Sequence, residues 1–295
     1  MKLTEIFYHV DNFNKNFEKY IKDHTIIDAQ NMSKRSSSRS SLSDIMTILI
    51  YFHHSGYRNF KRYYLEHVCV VLRSAFEGLV SYNRFVELMK DALVPLTLFM
   101  AVVRCGKITG IGYIDSTPLK VCHNLRISSH RVFKGLAQRG KTSTGWFYGF
   151  KLHFAINEFG EILGFMITPG NISDKKQHVV TQVTKRMFGK LFGDKGYISN
   201  LLFKKLYAKG LKLITRVQKS MQNRLLEMKD KFFLSKRGVI ESVGNLLKNK
   251  FQIEHSRHRS PVNFFVNVIA GLVAYSFADH KPSIYPPRRL FKSIA

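Results

Sequence analysis

The chain has 295 residues, enough for one large or two modest domains, and 45% of them are hydrophobic, which excludes a disordered chain. Lys and Arg number 47 against 20 Asp and Glu, a formal net charge of +27, and self-repulsion on that scale calls for a polyanionic partner. Nucleic acid is the first candidate for it, with an anionic membrane surface the competitor.

Residues 1 to 12 hold no continuous apolar core of signal-peptide length. The segment 33 to 41, rich in Ser and Arg, cannot pack a core and is expected as a linker or loop. "SLSDIMTILIYFHHSG" then reads as a helix, with Ser43 as N-cap and Gly56 as its stop. Tyr57, Arg58, Phe60, Lys61, Arg62, Tyr63 and Tyr64 interleave rings with cations, which suits either a nucleic-acid surface or a half-buried helix face. A further helix is expected from Ser81, with Phe85, Leu88, Met89 and Ala92 at helical spacing. The apolar stretches 92 to 103 and 264 to 278 are too short for a bilayer and are interrupted by Pro95 and Asn267, so both are expected as buried helices and no membrane partner remains. Cys69, Cys105 and Cys122 stand singly with no CxxC, which supports neither a zinc ribbon nor a disulfide framework and fits a reducing cytoplasm.

From Gly106 the pattern changes to strands alternating with helices. "ITGIGYID" is a short β-rich run, and Tyr148, Phe150, Leu152, Phe154 and Ile156 alternate along the next strand, which turns at "EFG" into an antiparallel partner. A helix capped by Ser173 or Asp174 follows, then the strand "KLFGD", a helix between Ser199 and Gly210, the strand "LKLIT", and the helix around "KRGVIESVGNLLK". This order predicts an α/β fold with a mixed five-stranded sheet flanked by helices, behind an all-helical N-terminal domain. The expected boundaries are 1–105 for the helical domain, 106–281 for the sheet domain with a basic insert at 116–146, and 282–295 for a basic tail. The insert, which carries His123 and His130, reads either as a DNA-contacting loop or as an inert one, and Trp146 at its end fits stacking on a base but is expected in the core.

Acidic residues are scarce, so their positions carry information. Asp115 is expected to end the first strand and Asp194 the fourth, and the carboxyl ends of neighbouring strands are where ligands gather in such sheets. Each aspartate alone also fits a turn. On the last helix, at about 100° per residue, Val239, Ile240, Val243, Leu246 and Leu247 share the sheet-facing side. Arg237, Glu241 and Lys248 form a second stripe, with Gly244 between them leaving room for a ligand. That stripe fits either a phosphate-and-metal site or a surface ion pair.

These stretches, "YIDSTPLKVCHN", "FGDKGYIS" and "KRGVIESVGNLLK" followed by "IEHSRHRS", together resemble the DDE insertion-sequence transposases, whose members often carry Arg, three residues, Glu, six residues, Lys. The resemblance runs from the helical N-terminus to about residue 279 and departs at Leu234, where related groups carry a Tyr. It implies an RNase H-like domain whose catalytic and metal-binding residues are Asp115, Asp194 and Glu241, with Asp115 bridging two Mg²⁺ ions for which Mn²⁺ substitutes. Arg237, Lys248 and Lys195 are the phosphate-binding candidates, while His255 and His258 are expected to face solvent or phosphate. The implied activity is cleavage of element ends and transfer of the 3′-hydroxyl into target DNA by a homodimer on the terminal repeats, at the nucleoid of a prokaryote. The alternatives are a catalytically silent DNA-binding relative and a metal-dependent nuclease without strand transfer.

Overall fold

The computed structural model describes residues 2–24, 40–143, 145–216, 226–254 and 258–285, so the segment 33–39, His255 and the end of the basic tail lie outside the described residues. The chain divides into two compact units, one made of Met1–Arg104, Asn249–Ile253 and His258–Asp279, the other of Cys105–Lys248, Glu254–Arg257 and His280–Ala295. No described helix is long and apolar enough to cross a membrane.

The first unit is helical. Helix α1 (Leu3–His24) turns Ile6 and Val10 inward, and α2 (Leu42–Phe52) is apolar almost all round, as a fully packed helix must be. The cap of α2 is Ser41, not Ser43: Ser41 and Asp44 form a reciprocal capping box. The Ser43 hydroxyl is buried instead, accepting from Asn14 Nδ2 and donating to Asp11 Oδ1, both at 3.1 Å. The ring-and-cation segment is a half-buried face, with its cations exposed and its last two rings in the core. Tyr63 and Tyr64 are fully buried, their hydroxyls donating to Ile48 O and Val80 O, and Arg62 pairs with Glu66 one turn on.

Ser81 caps α3 (Tyr82–Leu88) as expected. Helix α4 (Leu93–Leu98) runs on through wider turns to Val103; it buries Leu96, Phe99 and Met100 but leaves Val94, Leu98 and Val102 exposed, so 92–103 is only half the buried helix expected. The helix Pro261–Ser276 also belongs to this unit, although the alternating pattern suggested grouping it with the sheet. It is apolar over most of its surface, and that surface is buried among the other helices of the first unit.

The second unit is a mixed α/β layer. Its sheet has six strands, one more than expected: β1 (Ile111–Cys122), β2 (Gln138–Thr142), β3 (Gly145–Ile156), β4 (Ile162–Pro169), β5 (Gly189–Gly193) and β6 (Leu211–Thr215). The order is β2-β3-β1-β5-β6, and β4 pairs with the stretch of β3 beyond that taken by β2. Strands β4, β3 and β1 are antiparallel neighbours, while β5 and β6 run parallel to β1, which is the RNase H-like arrangement. The additional strand β2 lies in the stretch expected as an insert loop; "QRGKT" has no apolar alternation and is a strand because β3 offers it a free edge.

Helices α5 (Gln177–Val183) and α6 (Asn200–Tyr207) cover one face, over a core that includes Ile114, Val179, Leu191 and Leu202. Neither Ser173 nor Asp174 caps α5; Lys176 holds that position, and Asp174 is engaged elsewhere. Helix α7 (Met228–Ser235) precedes α8 (Gly238–Asn249), which buries Val239, Ile240, Val243 and Leu247. Gly244 does not open a ligand space: it is buried, and a side chain there would touch the ring of Phe154 on β3.

Candidate active site

Strand β1 does not end at Asp115. It runs on to Cys122 because its ladder with β3 continues, pairing Asp115 with Phe154 and Leu119 with Phe150. What ends beside Asp115 is β5. The parallel register pairs Tyr113 with Phe192, and two more residues bring Asp115 level with Asp194, which directly follows β5. Neighbouring strands lie about 4.8 Å apart, so the two aspartates flank the notch where β5 stops and β1 continues. Asp194 is exposed and opens the 3₁₀ turn Lys195–Tyr197, with Lys195 exposed next to it.

Glu241 stands in the first turn of α8, and Arg237 lies between it and Asp115. The guanidinium donates from Nη2 to Glu241 Oε1 at 2.5 Å and sits 3.8 Å, through Nη1, from Asp115 Oδ2. The i,i+4 ion pair is therefore formed, but its cation also reaches the sheet. Burial pushes the Asp115 carboxyl from 3.8 up to about 6, against the Ser116 N–H and Arg237, which favour its charge, while Glu241 and Asp174 repel it further. Lys248 is not free on the Glu241 stripe: its ammonium pairs with Glu254 Oε2 at 3.0 Å, and Glu254 Oε1 also accepts from the Lys120 N–H.

Two residues with no expected site role belong to this neighbourhood. Asp174 accepts from Ser116 Oγ at 2.7 Å and from Lys151 Nζ at 3.1 Å, and lies 3.8 Å from His153 Nδ1. His153 is buried and its pKa is lowered by that burial to about 4, so it stands there neutral. Tyr197 is buried with no hydrogen-bond partner for its hydroxyl, and its pKa is raised by desolvation and by the surrounding Asp115, Asp174 and Asp194. The sequence held one signal for each: Asp174 is one of few acids in this half, and Tyr197 lies one short turn beyond Asp194. Trp146, expected in the core, is 61% exposed.

Carboxylate oxygens are the donors a hard divalent cation prefers, and Asp115 and Glu241 already share one cationic group. Among the described residues, however, no three His, Cys, Asp or Glu side chains stand close enough together to hold a metal ion. The donor chemistry fits. The positive charge between two of the donors is supplied by Arg237.

A mixed sheet of this order flanked by helices is the RNase H-like fold of nucleic-acid-processing enzymes. Residues 105–261, more than half of the chain, match the family described as "Transposase DDE domain", and the chain belongs to that family. Such transposases normally work with divalent metal ions. Among solved structures the chain is similar to a piggyBac transposase in a synaptic complex with hairpin DNA, at 11% identity and a TM-score of 0.45, covering 83% of this chain and 69% of that one. No curated protein matches it.

Proposed function

We propose that the chain is an insertion-sequence transposase that cuts DNA at element ends and joins the freed 3′-hydroxyl to target DNA. The observation that carries this reading is the register that sets Asp115 level with Asp194, with Glu241 facing Asp115 across Arg237. In this reading Asp115, Asp194 and Glu241 would hold two Mg²⁺ ions, or Mn²⁺ in their place. Bound there, the ions would lower the pKa of an attacking water and neutralise charge on the leaving oxygen.

The chain's own side chains do the rest. Arg237 gives up its tie to Glu241 and turns its fork to the scissile phosphate, a geometry guanidinium suits better than ammonium. Lys195, exposed beside Asp194, and Lys248, next to Glu254, steady the flanking phosphates as point charges. Ser116, Lys151 and Asp174 fix the strand behind Asp115. DNA is the polyanion that the +27 charge calls for. The helical first unit would select the element ends, and pairing of two ends would make the working form a dimer.

A strand-transfer assay with the native element ends, a target plasmid and Mg²⁺ tests the proposal. Covalent donor–target joints are expected, absent in each of Asp115→Asn, Asp194→Asn and Glu241→Gln. Nicking without joints would leave a metal-dependent nuclease, and binding with neither would leave a silent DNA-binding relative.

A further inference from the structure

At the far end of β3 from the carboxylates, a cleft of about 430 Å³ is lined by Asn124, Ile127, Arg139, Trp146 and Phe147. That volume falls within the roughly 300–1,000 Å³ typical of small-molecule sites. Its wall is Trp146, a large apolar ring left 61% exposed. Its strand and one ring face have partners. Lys141, its partner across the β2–β3 ladder, places Nζ 5.6 Å from the ring centroid, and Asn124 Nδ2 donates to Trp146 O at 2.8 Å.

The charge around the cleft is one-sided. From Ser116 to Asn157 the chain carries Lys120, Arg126, Arg131, Lys134, Arg139, Lys141 and Lys151 and not one Asp or Glu. Among the described residues Arg139 and Lys141 make no ion pair. An exposed π-face beside unpaired cations matches a ligand that is both aromatic and polyanionic. A duplex hides its base faces in the stack, whereas an unpaired base offers one.

We infer that this cleft binds an unpaired nucleobase of a DNA strand, stacked on Trp146, with Arg139 and Lys141 on the adjoining phosphates. Trp146 lies eight residues along β3 from Phe154, the ladder partner of Asp115, a span of about 26 Å at about 3.3 Å per residue. That equals about eight base steps of 3.4 Å, so one strand can reach both places. The inference rests on the DNA-processing reading for the source of the strand, but not on the chemistry at the carboxylates.

Trp146 is the chain's one tryptophan, so its fluorescence reports on this cleft alone. The full chain is titrated with a short oligothymidylate, with an abasic strand of equal length, and with a duplex. Quenching is expected with the oligothymidylate at concentrations roughly five- to a hundredfold below those the abasic strand needs, the ratio one stacked base supplies. Anisotropy of labelled strands extends this to variants: Trp146→Phe should keep most of the ratio and Trp146→Ala should bring it near one. Equal affinity for the two strands, or a ratio that survives Trp146→Ala, overturns the inference and leaves only phosphate contact. Should Trp146→Ala fail to fold, the wild-type comparison of base-bearing and abasic strands decides alone. The strand-transfer assay reads the other question separately: joints without base preference remove the cleft and keep the enzyme, and base preference without joints does the reverse.

Discussion

Arg237 reconciles two readings of Glu241 that the sequence left open. The ion pair at i,i+4 exists with Glu241 exposed, and its cation stands 3.8 Å from Asp115 as well, so the pair borders the candidate site. Helical spacing showed the stripe; it could not show that the guanidinium would turn toward the sheet, because that depends on how α8 is laid over Phe154. Glu241→Gln separates charge from shape. Glu241 is exposed, so loss of its ion pair should cost well under about 1 kcal/mol in denaturant unfolding, while nicking of end DNA should fall to background and binding persist. A variant that still nicks at the wild-type rate would return Glu241 to a surface role.

Asp115 makes the opposite trade. A carboxylate whose pKa is raised from 3.8 to about 6 binds its proton more tightly in the folded than in the unfolded chain. Its charged form therefore destabilises the fold above pH 6, and that penalty disappears as the pH falls through 6 towards 4. At 1.36 kcal/mol per pH unit, and with the side chain 28% exposed, the penalty at neutral pH is about 1–3 kcal/mol. Asp115→Asn should accordingly be inactive yet more stable in EDTA at pH 7 to 8, by that amount, and the gain should shrink below pH 6. Equal stability of the two proteins across this range would mean that the carboxylate is better solvated than the structure implies.

Elements with strong periodicity were legible from the sequence, and elements made by a neighbour were not. The alternation from Tyr148 to Ile156 is strand β3, and Ser81 and Ser199 cap the helices they were expected to cap. Strand β1 extends past Asp115, where the sequence alone places its end, because six further residues, Ser116 to Lys120 and Cys122, pair with β3, which outweighs local preference. Close approaches are likewise invisible in one dimension. Gly164 on β4 passes so near the end of α5 that an added methyl carbon would lie 2.1 Å from Val183 O. Since the obstacle is backbone, Gly164→Ala must push the helix off the sheet. A loss of about 1–3 kcal/mol in urea unfolding is expected, and an unchanged midpoint would show that α5 is free to shift.

At the scale of the whole chain, the order of residues misleads about which parts fold together. A sheet domain written as 106–281 ends on the helix Pro261–Ser276, yet that helix and the segment Asn249–Ile253 pack within the first unit. Phe264, Val266, Val268, Leu272 and Val273 on it are fully buried there. Burying one such side chain contributes about 1.5–3 kcal/mol, so a fragment lacking residues 1–104 would carry an apolar helix with nothing to cover it. That fragment is expected to aggregate, seen as rising light scattering at concentrations where the full chain stays clear. A second fragment, 105–257, drops the helix and should remain dispersed, at the loss of the bonds that Ser283 and Ile284 make to Glu158 O. If the longer fragment proved as soluble and cooperative as the full chain, the helix would have to find cover on the sheet unit, and the boundary read from linear sequence would be the correct one.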